Sequence, residues 1–101
     1  MARVVASTRC SVIPCRESYT IERRCGPEEV LGWRLSEHFG ADVREDGYLH
    51  MTHLPTGWRV SSHRSLEACV ARAERLERRC GEALTSTDPK TIAWAINPAR
   101  A

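Results

Sequence analysis

Lysine is almost absent from this chain: of fifteen basic residues, fourteen are Arg and only Lys90 is Lys. A GC-rich genome produces such a bias, and so does selection for the planar guanidinium group, which binds carboxylates and phosphates in a bidentate manner. Thirteen acidic residues nearly balance the basic ones, leaving a formal net charge of +2. The composition therefore lacks the strong basic excess that is typical of a dedicated nucleic-acid-binding domain.

Long hydrophobic runs are missing as well. The apolar stretches are a few residues long, whereas a transmembrane helix needs about 20, and the first ten residues lack the apolar region of a secretory signal. Hydrophobic residues nevertheless make up 42% of the 101 residues, which is enough for one modest core. We therefore predict a single domain over residues 1–101 that folds in the cytoplasm and has no membrane partner.

No two cysteines form a CxxC pair. The chain has an odd number of cysteines, five in all: Cys10, Cys15, Cys25, Cys69 and Cys80. Cytosolic thiols stay reduced and behave as small buried hydrophobes. Cys10 and Cys15, with Cys25 or His38, come nearest to a structural zinc site, but the second close pair of ligands is missing. We therefore predict neither a metal site nor a disulfide.

Catalytic motifs are also missing. The sequence contains no GxSxG, no HExxH and no cysteine-nucleophile signature. Four reactive side chains could share the polar face of a predicted hairpin, namely His50, Thr52, Arg59 and Ser61. A solvated sheet face explains them equally well, so we predict no catalytic residue, no cofactor and no enzymatic activity.

Period-two alternation indicates three strands. Tyr19 and Ile21 alternate with polar neighbours over residues 18–23. A second alternating stretch begins at Tyr48 and a third ends at Ser61, and the Pro-then-Gly turn between them predicts a β-hairpin over residues 48–61. The predicted fold class is α+β, with a small antiparallel sheet built from this hairpin and the N-terminal strand.

A helix over residues 27–39 is predicted from its two ends. Pro27 suits the first helical position, and Gly40 supplies a left-handed stop. Four apolar residues would share the face that packs on the sheet: Val30, Leu31, Leu35 and Phe39. Trp33 would lie off that face and stay partly exposed.

The strongest periodic signal in the chain predicts a helix over residues 65–84. Apolar residues recur along it in alternating steps of three and four, and Ser65 suits the N-cap. A short helix over residues 89–96 follows, with Asp88 as N-cap and Pro89 at the first position. The small sheet is thus expected to pack against three helices.

Arginine and tryptophan are frequent anchors of protein interfaces. Three arginines line one flank of the apolar stripe of the helix over 65–84, a fourth lies on the hairpin, and one tryptophan lies off the core-facing side of the first helix. We predict a non-catalytic protein-binding module. Its predicted partner-binding residues are Arg72, Arg75, Arg79, Arg59 and Trp33.

Two alternatives use the same long helix. The Arg72, Arg75 and Arg79 stripe could contact phosphates, as in a small nucleic-acid-binding or regulatory protein. The apolar stripe is regular enough for the seam of a homodimer, although a helix that lies on a sheet also needs one apolar face. The near balance of acidic and basic residues favours protein binding over nucleic acid, and the regular stripe slightly favours a homodimer.

Residues 47–79 carry a family resemblance. Their sequence, GYLHMTHLPTGWRVSSHRSLEACVARAERLERR, combines a hairpin with a Thr-Gly turn and a helix that opens on a small polar residue, Leu, an acidic residue and Ala. This ββα unit resembles one found in small proteins of phages and prophages. The resemblance implies an accessory protein of a mobile element that covers a surface of a host protein or defence complex, as small anti-CRISPR inhibitors do. It assigns no individual residue.

Overall fold

The computed structural model describes residues 14–97, which form a five-stranded antiparallel sheet and two α-helices. The strands are β1 (Cys15–Arg23), β2 (Gly26–Arg34), β3 (Phe39–Val43), β4 (Leu49–His53) and β5 (Trp58–His63). The helices are α1 (Leu66–Cys80) and α2 (Pro89–Ile96), with a 3₁₀ turn (Gly81–Thr85) between them. The strand order is β1-β2-β3-β4-β5, so each strand pairs with its neighbour in sequence. The predicted α+β class, with a sheet packed against helices, is confirmed.

The predicted helix over residues 27–39 is wrong. Its first part is β2, which pairs with β1 over nine residue pairs, and Phe39 begins β3. The spacing of the apolar residues fits a strand as well as a helix, because Leu31 and Trp33 also alternate with period two. Pairing with β1 selects the strand over the helix, and no local sequence pattern reveals that pairing. Gly40 lies inside β3 and does not end a helix.

Both helices lie on one side of the sheet, here called the helix-bearing face, where α1 packs on β3, β4 and β5. The core between them is built from seven buried residues: Phe39, Met51, Ala73, Leu76, Leu84, Ile92 and Ile96. The apolar stripe of α1 is therefore used inside the domain. It does not form the predicted seam of a homodimer, because Cys69, Ala73 and Leu76 are completely buried against the chain's own sheet and neighbouring elements.

The helix ends follow local signals. Ser65 Oγ accepts the backbone N–H of Ala68 at 3.1 Å, so it is the N-cap of α1 as predicted. The α-helix ends at Cys80 because Gly81 adopts φ +54°, so the predicted end at residue 84 is one 3₁₀ turn too late. Asp88 caps α2, as predicted. No helix among residues 14–97 has the length and apolar character needed to cross a bilayer.

Glu77 fastens α1 to the loop between β2 and β3. Its Oε2 accepts the Ser36 hydroxyl at 2.6 Å and the His38 backbone N–H at 2.8 Å, while Oε1 lies 2.8 Å from Nδ1 of the His38 ring. Burial opposes ionisation, but these hydrogen bonds outweigh it and lower the pKa of Glu77. The carboxylate fixes the helix against the sheet on the side away from β5.

The opposite face of the sheet, here called the concave face, is covered by the chain itself. The Glu22 N–H donates to the Gly57 carbonyl in the turn between β4 and β5 at 2.8 Å, so β1 folds over this face. Ile21 is only 1% exposed as a result. The Tyr19 ring lies against Gly40, where a Cβ atom would be 2.8 Å from Tyr19 Cε2.

A β-bulge changes the faces of β5. Met51 pairs with Ser61 and Thr52 pairs with Arg59, which leaves Val60 as the extra residue. The expectation that Ser61 shares a polar face with His50, Thr52 and Arg59 is therefore wrong. Ser61 lies on the same face as Met51, because residues opposite each other in a sheet point the same way.

Candidate functional site

A closed polar cluster on the concave face is centred on Asp42, which is 4% exposed. Tyr19 donates its hydroxyl to Oδ1 at 3.1 Å, and Arg44 donates Nε to Oδ2 at 2.5 Å and Nη2 to Oδ1 at 3.1 Å. Burial and the charge of Asp42 raise the pKa of Tyr19, so this hydroxyl stays protonated and remains a donor. The cluster ties β1 to β3 and offers no free nucleophile.

His50 and Thr52 are buried on the same face, with 7% and 0% exposure, and are not on the solvated face expected from the sequence. His50 Nε2 lies 3.0 Å from Asp46 Oδ2. Within residues 14–97, His50 Nδ1 and Thr52 Oγ1 have no hydrogen-bond partner, although Thr52 is near enough to influence the pKa of the Tyr19 hydroxyl. Both atoms are shielded from solvent, so a substrate has no access to them.

The cysteines act as packing residues or surface thiols. Cys15 and Cys25 are exposed and free, whereas Cys69 is buried, which raises its thiol pKa to about 11. Cys80 donates its Sγ–H to the Ala95 carbonyl at 3.3 Å. Among residues 14–97, no three His, Cys, Asp or Glu side chains are grouped as metal ligands. Cys10 lies outside the described residues.

An exposed apolar surface lies on the helix-bearing face, beside the part that α1 covers. We call it the sheet patch and define it as Arg16, Leu31, Trp33 and Val43. Trp33 pairs with Ala41, and the next residues on the same face are Leu31 and Val43, each 58% exposed. The Arg16 guanidinium lies 4.4 Å from the centroid of the Trp33 ring. The predicted residue Trp33 is thus part of a larger surface and is itself half-buried.

The predicted arginine stripe, here called the arginine flank (Arg72, Arg75 and Arg79), lies on the β5 side of α1. Burial lowers the pKa of His63 at the end of β5, and the nearby charges of Arg72 and Arg75 lower it further. Arg79 Nη2 donates to the Ile96 carbonyl. Within the described range, none of the three forms an ion pair with a carboxylate. Arg79 is partly committed to capping α2, whereas Arg75 is exposed.

A cleft of about 260 Å³ lies between β5 and α2 and is here called the β5 cleft. Its lining residues are His53, Thr56, Trp58, Arg59, Val60, Pro89, Ile92, Ala93, Ile96 and Asn97. The predicted residue Arg59 belongs to this cleft. The five predicted partner-binding residues therefore fall on two surfaces, with Trp33 in the sheet patch and the four arginines along the β5 side.

Sequence reasoning missed Leu31 and Val43. The sequence pattern places Leu31 on the sheet-facing side of a predicted helix, and Val43 in a polar connection between predicted elements. The period-two alternation of Leu31 with Trp33 is the signal that could have placed them together on a strand face.

His53 lies beneath the β5 cleft and is fully buried. Its Nε2 lies 2.7 Å from the Leu84 carbonyl, and its Nδ1 lies 3.0 Å from the Thr56 hydroxyl. Because a carbonyl only accepts, Nε2 carries the proton and Nδ1 accepts from Thr56. Burial lowers the pKa of His53, although the bond to Leu84 opposes the shift. The neutral ring thus joins β4 to the 3₁₀ turn.

Stability should fall as the pH drops through about 6.5, the ordinary histidine value. Below pH 6.5, His53 and His63 are protonated in the unfolded chain but remain neutral in the folded domain. The unfolded state therefore binds more protons, and lowering the pH favours unfolding. The loss should level off below the lowered folded-state pKa values. A second loss should begin near 4.5, where an unfolded Glu77 starts to protonate. Urea unfolding over a pH series measures both.

His53→Gln and His63→Gln provide the check on this pH dependence. Each variant should show a shallower slope of unfolding free energy between about pH 5 and 6.5 than the unaltered chain, because one proton-linked group is gone. An unchanged slope in both variants would contradict the assignment.

The described residues thus form an α+β domain with a closed polar cluster, an exposed sheet patch and a basic cleft. Comparisons of the chain with protein-family models, with curated protein sequences and with solved structures find no match. Its function is therefore argued from the surfaces themselves.

Proposed function

We propose that this domain is a non-catalytic protein-binding module and that the sheet patch is its main contact surface. The observation that carries the proposal is the exposure of Leu31 and Val43, each 58%, side by side with Trp33 on neighbouring strands. Contiguous exposed apolar side chains on a folded domain mark interaction sites. Tryptophan with a stacked arginine has the chemistry of interface hot spots.

The sheet patch is also preorganised. β2 pairs with β1 over nine residue pairs and with β3 next to Trp33, so its backbone is held on both sides. Arg16 is already ordered over the Trp33 ring. Little side-chain and backbone freedom would be lost on binding, which leaves more of the gain from apolar burial for affinity.

The resemblance of residues 47–79 to phage and prophage proteins extends this proposal to the identity of the partner. A host protein or protein complex is the partner that it favours. A domain that covers a surface of a host defence complex would inhibit that complex by occlusion, without any chemistry of its own. The buried Asp42 cluster is consistent with this role, since it stabilises the sheet behind the patch.

The sheet patch can be tested with the double variant Leu31→Gln/Val43→Gln. Trp94→Gln is the matched control, because Trp94 is 57% exposed on α2 and its replacement also removes an exposed apolar side chain. Bait proteins would capture partners from a host lysate, and the captured protein would then be purified and titrated by calorimetry. We expect the double variant to bind it at least about tenfold more weakly, a change typical of hot-spot loss, while the control binds normally.

Two results would overturn this assignment. One is a purified partner that binds the double variant and the unaltered chain equally. The other is a partner lost only with Trp94→Gln. Circular dichroism melts of all three proteins confirm that each is folded.

Nucleic acid binding through the arginine flank is the second candidate. Its support is that the three arginines share one flank of α1 and, within residues 14–97, none of them is ion-paired with a carboxylate. If this function holds, a 20-nucleotide single strand should bind with an affinity that falls steeply between about 50 and 200 mM salt. Arg75→Glu should abolish binding, whereas Arg78→Glu, on the far side of α1, should have a much smaller effect.

A further inference from the structure

The arginine flank and the β5 cleft lie on the same side of the molecule, along β5. Arg72 and Arg75 are close to His63 at one end of the strand, and Arg79 contacts Ile96, which lines the cleft near the other end. Basic side chains therefore lie near both ends of β5, while the Glu22 side chain packs beside Gly57, the residue that precedes the strand.

β5 is the last strand in the order of the sheet, and its ladder pairs, from Leu49↔His63 to His53↔Trp58, are with β4. β1 also contacts β5, and the Glu22 N–H donates to the Gly57 carbonyl just before Trp58. The open part of the β5 edge therefore lies toward His63. Alternate N–H and C=O groups of an edge strand point away from the neighbouring strand, and such an edge is a template for one more strand. Without Trp58, the remaining five residues of β5, up to His63, span about 16 Å, enough to pair with a short extended peptide.

The β5 cleft has the size and lining of a side-chain pocket. Its volume of about 260 Å³ is smaller than the roughly 300–1,000 Å³ of most small-molecule sites. Val60, Ile92, Ala93 and Ile96 make most of the wall apolar, Arg59 supplies the charge, and no carboxylate lines it. One or two apolar side chains of a bound segment would fill it.

We infer that the β5 cleft binds an extended acidic peptide segment of another protein. The segment adds a sixth strand at β5, inserts one apolar side chain into the cleft and sets carboxylates against Arg59, Arg72 and Arg75. This is the strand-addition mode of peptide recognition, in which backbone bonds give affinity and a side-chain pocket gives specificity. The inference rests on the proposed protein-binding function, but it uses a different surface from the sheet patch.

Charge argues against the other occupants. Residues 1–13 and 98–101 contain no Asp or Glu and each segment contains Arg, so neither complements the arginines. A second copy paired edge to edge through β5 would bring Arg59 and the arginine flank of two molecules together. An acidic partner neutralises the same charges.

A displayed library of random heptapeptides, selected against the full chain, tests the chemistry. We expect enrichment of sequences in which an aromatic or aliphatic residue is flanked by Asp or Glu. An enriched peptide would then be labelled with fluorescein and titrated by fluorescence polarisation. N-methylation of its amides should weaken binding about tenfold at every second position, because only alternate N–H groups face β5.

Variants of the chain locate the site. Arg59→Glu and Ala93→Phe, which would fill the cleft, should each weaken peptide binding by about tenfold or more. Arg78→Glu is the control for the charge change, and Leu31→Gln/Val43→Gln should leave peptide binding intact. Loss of peptide binding in the sheet-patch variant alone would overturn this inference and leave the proposed function standing. Unchanged partner binding in the sheet-patch variant, together with loss of peptide binding in Arg59→Glu and Ala93→Phe, would do the reverse.

Three further results would overturn the inference. They are selection of basic or uncharged peptides, displacement of the peptide by a single-stranded oligonucleotide that binds more tightly, and a dimer in sedimentation that the peptide dissociates. The first would favour the chain's own segments, the second nucleic acid and the third a second copy.

Discussion

Asp42→Ala should destabilise this domain by about 3–5 kcal/mol, the usual effect of removing one partner of a buried ion pair. Asp42 is 4% exposed and accepts three hydrogen bonds, one from Tyr19 and two from Arg44. Without the carboxylate, the Arg44 charge and the Tyr19 hydroxyl stay enclosed and lose these partners. Urea denaturation measures the change in unfolding free energy, with one m-value fitted to both the variant and the unaltered chain.

The matched control for Asp42→Ala is Glu28→Ala. Glu28 forms an ion pair with Arg23 at 2.6 Å, but both side chains are well exposed, at 50% and 37%. Such a pair contributes only about 0–1 kcal/mol. The triple variant Tyr19→Phe/Asp42→Ala/Arg44→Met should recover part of the loss, since no buried polar group is then left alone. A loss below about 1 kcal/mol for Asp42→Ala would show that the cluster does not stabilise the fold.

Gly32→Ala should cost roughly 3 kcal/mol or more, at the upper end of overpacking effects, because the added methyl meets backbone. A Cβ atom at Gly32 would lie 2.1 Å from the Ala41 carbonyl oxygen and 2.9 Å from the Tyr19 hydroxyl. β2 and β3 would have to separate, and the Tyr19 contact with Asp42 would be disturbed. Hydrogen exchange should show faster exchange in both strands.

Gly47→Ala separates packing from backbone conformation. Gly47 has φ +83° and nothing within 4 Å of its would-be Cβ, so its replacement should cost only the roughly 1–2 kcal/mol of a left-handed residue. If thermal melts show Gly32→Ala to be no more harmful than Gly47→Ala, the close approach of β2 and β3 is not a constraint on the fold.

These two predictions concern the concave face, whereas the binding surfaces that we propose lie elsewhere on the domain. The polar residues that resemble a reactive group in the sequence, His50 and Thr52, are sealed under β1. The residues left to solvent are apolar side chains on β2 and β3 and arginines beside β5. Contiguous exposed apolar side chains mark interaction sites, and this is the observation on which our proposal of a protein-binding function rests.

The elements recognised from the sequence are those whose signals are local. The Pro-then-Gly turn before Trp58, the N-caps Ser65 and Asp88, and the three-and-four spacing along α1 each act within a few residues. Local hydrogen bonds and side-chain periodicity are properties of a short segment, so the hairpin and both C-terminal helices could be predicted. The arginine flank followed from the same helical geometry.

The sheet patch and the buried cluster depended on contacts between distant segments. Residues 27–39 satisfy a helical and an extended pattern alike, and nine pairs with β1 select the strand. The bulge at Val60 turns Ser61 to the other face, and the fold of β1 over the sheet buries Asp42. By itself the sequence determined the elements that form from neighbouring residues. The tertiary structure alone decided strand pairing, register and exposure, because these depend on free energy gained between residues that are far apart in the chain.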